Sequence, residues 1–561
     1  MSRVMKALPL VIIYALIIAA PSARANWVRD GVAICTATGN QVNPTIVSDG
    51  AGGAIVTWTD SRSGKNRIYT QRLNASGAAQ WTADGVAICT AAGNRYSPTS
   101  VSDGAGGAII TWEDWRADNF DIYAQKVDSS GVVQWIADGV AICTAINSQM
   151  NPTIVSDGAG GAIVTWQDWR SRNYDIYTQR VDSSGAVRWT ADGVALCMAP
   201  CDQSYPTLTS DGASGAIVAW YDNRTGYNWH IYTQKVDSSG AVQWTPDGVA
   251  VCAATGDEYS APLTSDDAGG AIFACEDSRS GNWDLYAQKV NASGALEWTA
   301  NGVALCTATG NQVSPTITSD GAGGAIVTWN DTRNGDYDVY VQGVNASGAV
   351  EWTTDGVALC TRAGNQWYPT IAPDGAGGAI VTWFDAGSGS YHIFAQRVDT
   401  SGAVKWTTDG VAICTADGNQ EFPMSTSDGA GGAIVAWMDY RSPAGSWDIY
   451  GLRVNADGSA VIAGTDTPAV PIELRQNYPN PFNPATTVTY SIQKKCDVTL
   501  KIYDVSGKCI AHLVDARQEK GSYAVQWNGK DEKGNPVGSG IYFYRLAAGS
   551  RTISRKMVLV R

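Results

Sequence analysis

Eight cysteines stand in register along this 561-residue chain: Cys35, Cys89, Cys143, Cys197, Cys252, Cys306, Cys360 and Cys414. Thiols repeated this way suggest a disulfide ladder if the chain is exported to an oxidising compartment. Geometry opposes it. Equivalent points on packed sheets lie roughly 10 Å apart, whereas bridged Cα atoms sit at about 4.4–6.8 Å. The register cysteines are therefore expected to be small, buried apolar residues. Cys197 and Cys201, in "CMAPC", form the best-placed local pair, and Cys275, which replaces a repeat Trp, is left without an evident partner. Zinc needs convergent Cys or His at short spacing, and none is recognised.

The group Trp-x-Asp-x-Arg recurs as Trp58/Asp60/Arg62, Trp112/Asp114/Arg116, Trp166/Asp168/Arg170 and onward. Repeated carboxylates suit calcium or acid–base work, yet one identical group per repeat is architecture, since catalysis needs an asymmetric set. The seventh repeat keeps Asp385 but has Gly387 in place of Arg. An exposed ion pair contributes only about 0–1 kcal/mol, so the aspartate is read as a turn cap. "SDGAGGA" lacks the Lys-Ser/Thr of a phosphate loop and is read as a hairpin. His230 and His392 replace residues such as Asp121, Asp175 and Asp284 and are read as structural. No Ser-His-Asp, Cys-His or paired-carboxylate constellation can be assembled. The chain is not expected to be an enzyme. No cofactor or metal site is implied, and calcium has no specific motif to support it.

These groups sit on a repeat that decides the architecture. Trp27, Trp81, Trp135, Trp189, Trp244, Trp298, Trp352 and Trp406 follow one another at 54 residues, with one step of 55. Each unit holds four strand-like runs separated by Gly, Asp, Asn and Ser. "AIVTW" is apolar without alternation, as in a strand covered on both faces. Copies stacked around an axis would cover those faces, which is the design of a β-propeller blade. No Trp stands at position 460, where the next is due, and the repeat array starts with an extra "NWVRDGVAIC" (26–35). That fragment is expected to complete the outer edge of the last blade and remove a free edge.

The fold class expected is all-β: an eight-bladed β-propeller of 54-residue repeats over residues 26–464, a linker over 465–476, and a small Ig-like β-sandwich over 477–561. Residues 1–25 read as a signal peptide, with Arg3 and Lys6 before an apolar run and Ala23-Arg24-Ala25 as the cleavage site. That run is too short to span a bilayer, and no transmembrane helix is expected in the mature chain. The net charge of −14 excludes a nucleic-acid partner, which needs a basic surface. With 61 Gly, 22 Trp and 24 Tyr but only 7 Phe and 3 His, the composition suits tight turns and strands.

The repeat region resembles secreted bacterial propellers built from "P-x-x-x-S-D-G-x-G-G-A-I-x-x-W-x-D-x-R", a resemblance that brings no catalytic residues. "NYPNPFNP" (477–484), "KIYDVSGK" and "GSGIYFYRL" resemble the C-terminal sorting domain of the type IX secretion system and its relative, the Ig-like domain of flagellar hook-capping proteins. The resemblance implies export through the general route, contact with the type IX machinery, and an extracellular or cell-surface location.

What varies between repeats carries the functional reading. In a propeller the one–two and three–four turns share one face, and these are nearly uniform. The two–three turns and the links between blades share the other face, and these change. They carry Tyr96, Met150, Tyr205, Tyr259, Trp367 and Phe422 in the links and Trp115, Trp169 and Tyr440 in the turns. Variable loops on a rigid frame tend to bind, and exposed aromatics among polar neighbours suit sugars or protein surfaces. The expected function is glycan or protein recognition or adhesion. The rivals are a polysaccharide-acting hydrolase or lyase and a structural envelope component.

Overall fold

The computed structural model describes residues 27–387, 389–460, 472–492, 495–505, 508–548 and 551–561. The expected signal segment and residues 465–471 of the expected linker lie outside them. The chain divides into two units, Met1–Val461 and Ile462–Arg561.

In the first unit each repeat becomes a four-stranded antiparallel sheet. The third sheet runs Gln149–Ser156, Ala162–Asp168, Asp175–Val181 and Val194–Cys197, in chain order. Every residue of its second strand is buried, which is what an unbroken apolar run requires. The inner strand carries a bulge between Met150 and Thr153, where Asn151 adopts φ +53°. Sheet five differs. Its inner strand is split into Glu258–Tyr259 and Leu263–Ser265, where Ala261 stands in place of the proline found at that point in the other repeats.

Eight such sheets form among the described residues. Each inner strand touches the next in chain order, and Gln420–Ser427 of the eighth touches Gln41–Ser48 of the first. The eighth sheet takes its fourth strand from the other end of the unit: Val32–Cys35 pairs antiparallel with Asp448–Val454. The N-terminal fragment thus lies where the missing Trp at 460 indicated.

Two clasps join neighbouring sheets. Trp81 Nε1 donates to the Ser129 carbonyl (3.1 Å) and Trp135 Nε1 to that of Ser183 (3.2 Å), and so onward. Trp27 completes the set by donating to Ala75 (3.0 Å). The receiving turn needs glycine: Gly77 has φ +81°, and a Cβ there would meet the Trp27 ring at 2.8 Å. In the second clasp an aspartate accepts a backbone N–H of the preceding sheet. Asp138 takes Thr90 N (2.7 Å), Asp192 takes Thr144 N (2.9 Å), and Asp30 takes Thr415 N (2.8 Å).

The second unit packs a three-stranded sheet (Ile472–Leu474, Thr486–Ile492, Gly521–Trp527) with a four-stranded one (Cys509–Gln518, Cys496–Tyr503, Gly540–Ala548, Arg551–Leu559). Burial alternates strictly along Thr486–Ile492, so Val488, Tyr490 and Ile492 face Leu500, Ile502, Tyr544 and Leu546 in one core. "NYPNPFNP" straps this sandwich. Buried Asn477 donates to Thr486 Oγ1 (2.9 Å), its N–H donates to the Tyr544 hydroxyl (2.9 Å), and Phe482 lies buried against Trp527. Among the described residues no helix is long and apolar enough to cross a membrane.

Candidate functional site

The order of strands puts the one–two and three–four turns at one end of every sheet. The two–three turns and the links to the next sheet lie at the other. The first end is scaffold. In "SDGAGG" Asp157 Oδ1 accepts the N–H groups of Ala159 and Gly161 (2.8 Å each), while Oδ2 pairs with Arg180 (2.9 Å). The final glycine is fixed by space, since a Cβ on Gly161 would stand 2.4 Å from the Val181 carbonyl oxygen. Hollows of about 470 and 610 Å³ at this end are lined by the repeated turns themselves, including Asp320, Ala322 and Gly377. They exceed the aromatic cavity below; the first is lined by Gly343, which stands where the other sheets carry an Arg or Lys paired with the turn aspartate, and the second by Pro373, which stands in place of the usual Ser.

The Trp-x-Asp-x-Arg group is built into the opposite end, and it is not an exposed pair. Asp168 is fully buried. Its Oδ2 accepts Trp166 Nε1 (2.9 Å) and Arg170 Nη2 (2.6 Å), and its Oδ1 accepts the Arg170 backbone N–H and Nε (2.9 Å each). Arg170 also lies 3.8 Å over the Tyr177 ring and donates to the Asp192 carbonyl (2.7 Å). The turn cap expected from sequence is therefore half of a desolvated network. In sheet seven Arg362 substitutes for the absent arginine, reaching Asp385 at 3.5 Å and stacking on Phe394.

The eight register cysteines are buried and free. Burial pushes the Cys35 thiol up to about 12 and that of Cys360 up to about 11. Cys197 is buried while Cys201 is exposed, and both are free. Cys275 does have a neighbour: its Sγ lies 3.3 Å from that of Cys252. The histidines are held within the frame. His230 Nδ1 contacts Glu258 (3.1 Å), which raises its pKa, and His392 Nδ1 contacts Gln420 (2.9 Å).

The variable end is a belt of aromatic rings. Seven of the eight residues preceding the third strands are aromatic: Phe120, Tyr174, Trp229, Trp283, Tyr337, Tyr391 and Trp447. Their carbonyls accept the N–H that opens the next sheet's inner strand, as from Gln149 to Phe120 (2.8 Å), Gln366 to Tyr337 (2.7 Å) and Gln41 to Trp447 (2.8 Å). Sequence reading missed this position, although aligning the repeats on "IY" displays it.

The nine candidate residues divide into two kinds. Trp115, Tyr205, Phe422 and Tyr440 are exposed, whereas Tyr96, Met150, Trp169, Tyr259 and Trp367 are half-buried against the belt. Tyr96 and Trp115 meet Phe120 edge-on, Trp169 and Met150 contact Tyr174, and Tyr440 packs on Trp447. Two larger groups cross sheet boundaries. Tyr205, Tyr221, Tyr259, Trp229 and Trp283 join sheets four and five. Tyr337, Trp367, Phe384, Tyr391, Tyr368 and Phe422 join sheets six to eight.

Tyr205, Tyr368 and Phe422 occupy the bulge itself, at φ +53°, +50° and +51°, where the backbone turns their rings out of the sheet plane. Tyr368, 53% exposed, is not among the residues expected from sequence, where Trp367 beside it stands for this link. With Trp367, Tyr337, Asn330, Val313 and Ser314 it lines a cavity of about 310 Å³. Asn330 Oδ1 accepts the Tyr368 N–H (3.2 Å) and its Nδ2 donates to the Gln366 carbonyl (2.8 Å). The cavity thus has an aromatic wall and a polar base.

Carboxylates near this end serve the frame. Glu113 accepts the Asn151 N–H (2.8 Å) and Glu276 that of Ser314 (2.7 Å), and burial raises both pKa values. Asp121 and Asp448 are buried opposite Asp114 and Asp439. Burial, with repulsion from the facing carboxylate, holds each of them at about 6. The unfolded value is about 3.9, so the folded chain holds these protons more tightly. The destabilisation is complete above pH 6 and fades as pH falls from 6 to 4. Asp448→Asn is expected to raise stability by on the order of 2 kcal/mol at pH 8 and to do little at pH 4. Thermal unfolding at both pH values checks this, and an equal gain at each would refute it.

In the C-terminal unit a bulge puts Cys509 and His512 on one side of their strand, and the Glu532 N–H bonds the Ile510 carbonyl. Cys509 Sγ lies 3.8 Å from His512 Nε2, and His512 Nδ1 pairs with Glu532. This is the short-spaced Cys/His set that sequence reading did not recognise. Its members are half-buried or exposed.

Residues 483–551 match the FlgD Ig-like domain family, so the C-terminal unit is an Ig-like domain following an all-β array of repeated four-stranded sheets. No curated protein matches the chain. Among solved structures, the chain is similar to an ulvan lyase of polysaccharide lyase family PL25 (TM-score 0.43, 11% identity, 78% of this chain and 96% of that one). It is also similar to an endo-arabinase from Bacteroides thetaiotaomicron (TM-score 0.28, 15% identity, 48% and 95%). A third is PorZ, a surface component of the type IX secretion system of Porphyromonas gingivalis (TM-score 0.25, 11% identity, 93% and 75%).

Proposed function

We propose that the first unit is an eight-bladed β-propeller acting as a recognition module outside the cell, and that it binds glycan through its aromatic end. One observation carries the reading: the turns at one end differ at only a few positions, while at the other a half-exposed Tyr368 and its neighbours line an aromatic cavity that no other repeat reproduces in sequence. Aromatic faces beside amide and hydroxyl groups match the alternating apolar and polar faces of a sugar ring. The signal-like residues 1–25 and the motif "NYPNPFNP" support export, with the Ig-like domain as the sorting element for the type IX machinery. Binding rather than turnover is favoured because the buried glutamates nearest this end are engaged by backbone N–H groups of the next sheet.

The test is retention of the full chain on a panel of immobilised polysaccharides, with Tyr368→Ala and Trp367→Ala beside it. Tyr368 is exposed enough that its truncation reports on binding rather than folding. Loss of retention on the order of tenfold is expected for Tyr368→Ala. Retention unchanged in both variants would remove the site from this cavity. Release of reducing ends or unsaturated products from the panel would instead establish an enzyme.

A further inference from the structure

Sheet five is the one repeat in which Cys replaces the buried Trp: Cys275 stands where Trp58, Trp112, Trp166, Trp220, Trp329, Trp383 and Trp437 stand in the others. In most of those sheets the indole donates to the motif aspartate, as Trp220 does to Asp222 (2.9 Å) and Trp329 to Asp331 (2.9 Å). The indole also lies over the glycine that opens the fourth strand. At Gly248 and Gly356 a Cβ would meet Trp220 or Trp329 within 2.7 Å, whereas Gly302 of sheet five faces no indole.

The shorter residue brings a second sulfur beside a register cysteine. Cys252 ends the fourth strand of sheet four, and Cys275 lies in the second strand of sheet five. Both are fully buried, with Sγ atoms 3.3 Å apart. The corresponding cysteines elsewhere face a carboxylate at longer range, as Cys197 does Asp222 (3.7 Å) and Cys306 does Asp331 (3.8 Å). The obstacle to a cysteine ladder was the spacing of equivalent points on neighbouring sheets. Cys252 and Cys275 are not equivalent points, and that obstacle does not apply to them.

We propose that Cys252 and Cys275 are an oxidation site, joined as a disulfide that staples sheet four to sheet five. The two thiols give up two protons and two electrons to form one S–S bond. The electrons pass to the disulfide of a thiol–disulfide oxidase, which leaves as a dithiol, by way of a mixed disulfide with one of the two cysteines. The sulfurs must close from 3.3 Å to about 2.05 Å. Because both thiols are buried, and burial together with the Cys252 contact keeps Cys275 protonated, the folded chain is a poor substrate for that exchange. Oxidation therefore belongs to the folding chain, before sheet five closes onto sheet four. The proposal needs an oxidising compartment, and so rests on export but not on any ligand.

The experiment is to produce the full chain with its own N-terminal segment in a bacterium that exports it. The product is denatured in N-ethylmaleimide without reductant and its mass and peptides are read. The expected result is a mass lower by two hydrogens and two maleimide groups than that of the pre-reduced sample, with one linked peptide pair holding Cys252 and Cys275. Cys275→Trp restores the residue of the other repeats and should show Cys252 fully alkylated. Should that variant not fold, Cys275→Ser gives the same readout on the denatured chain. Maleimide on both Cys252 and Cys275 of the exported wild type overturns the proposal, as does a linked pair elsewhere, such as Cys197 with Cys201.

Discussion

A chain that begins at residue 36 is expected to lose most of the stability of its first unit. The nine residues Trp27–Cys35 complete the last sheet and both clasps at one seam. Val32 and Cys35 pair with Gly451 and Ile449. Trp27, Ile34 and Cys35 are buried at 1–3% exposure. Asp30 accepts Thr415 N through its carboxylate, and its carbonyl accepts Arg441 Nη2 (2.6 Å). Each large apolar side chain buried is worth about 1.5–3 kcal/mol, and the lost hydrogen bonds add about 1 kcal/mol each. The sum exceeds about 5 kcal/mol, comparable with the whole stability of an ordinary domain. It also leaves Asp448–Val454 as an open edge strand, which invites association. Thermal unfolding and light scattering of the truncated chain would show a much lower midpoint and aggregates. A synthetic peptide of residues 27–35 added in trans should recover part of the loss. A truncated chain as stable and monodisperse as the parent would remove the seam from any account of stability.

Asp168→Ala should cost about 3–5 kcal/mol, as expected when one partner of a buried, hydrogen-bonded ion pair is deleted. The substitution strands the Arg170 guanidinium and the Trp166 indole N–H, which now share one carboxylate. Sheet seven supplies the comparison. There the arginine is Arg362, more exposed and 3.5 Å away, and the Trp383 indole N–H already lacks an acceptor. Asp385→Ala should therefore cost less, about 1–2 kcal/mol. Urea unfolding of the two variants measures the difference. Equal costs would mean that the carboxylate matters as a turn cap alone.

Much of the frame was legible because it is written once per repeat. A missing Trp at 460 and a spare "NWVRDGVAIC" at the start were enough to place Val32–Cys35 beside the last sheet. What escaped was lateral proximity between sheets. Nothing in the spacing of Asp168 and Arg170 says whether the pair is wet, because that depends on Tyr177 and on the carbonyl of Asp192. Cys275 has no counterpart at its own register, because its neighbour Cys252 ends the fourth strand of the preceding sheet. Tyr368 stands at the same bulge position as the candidates Tyr205 and Phe422, but two aromatics are adjacent there, and sequence alone does not say that the second of them, rather than Trp367, is the exposed one.

The seam at Val32–Cys35 also sets a timetable. The first residues of the unit to leave the ribosome pair with some of the last, so the eighth sheet waits until Val454 has been made. Contacts this distant in sequence form slowly. The final sheet cannot be completed while its partner strand is still being synthesised, whatever the earlier sheets do. Under the export proposed above, the last closure and the proposed staple at sheet five would both fall on the far side of the membrane.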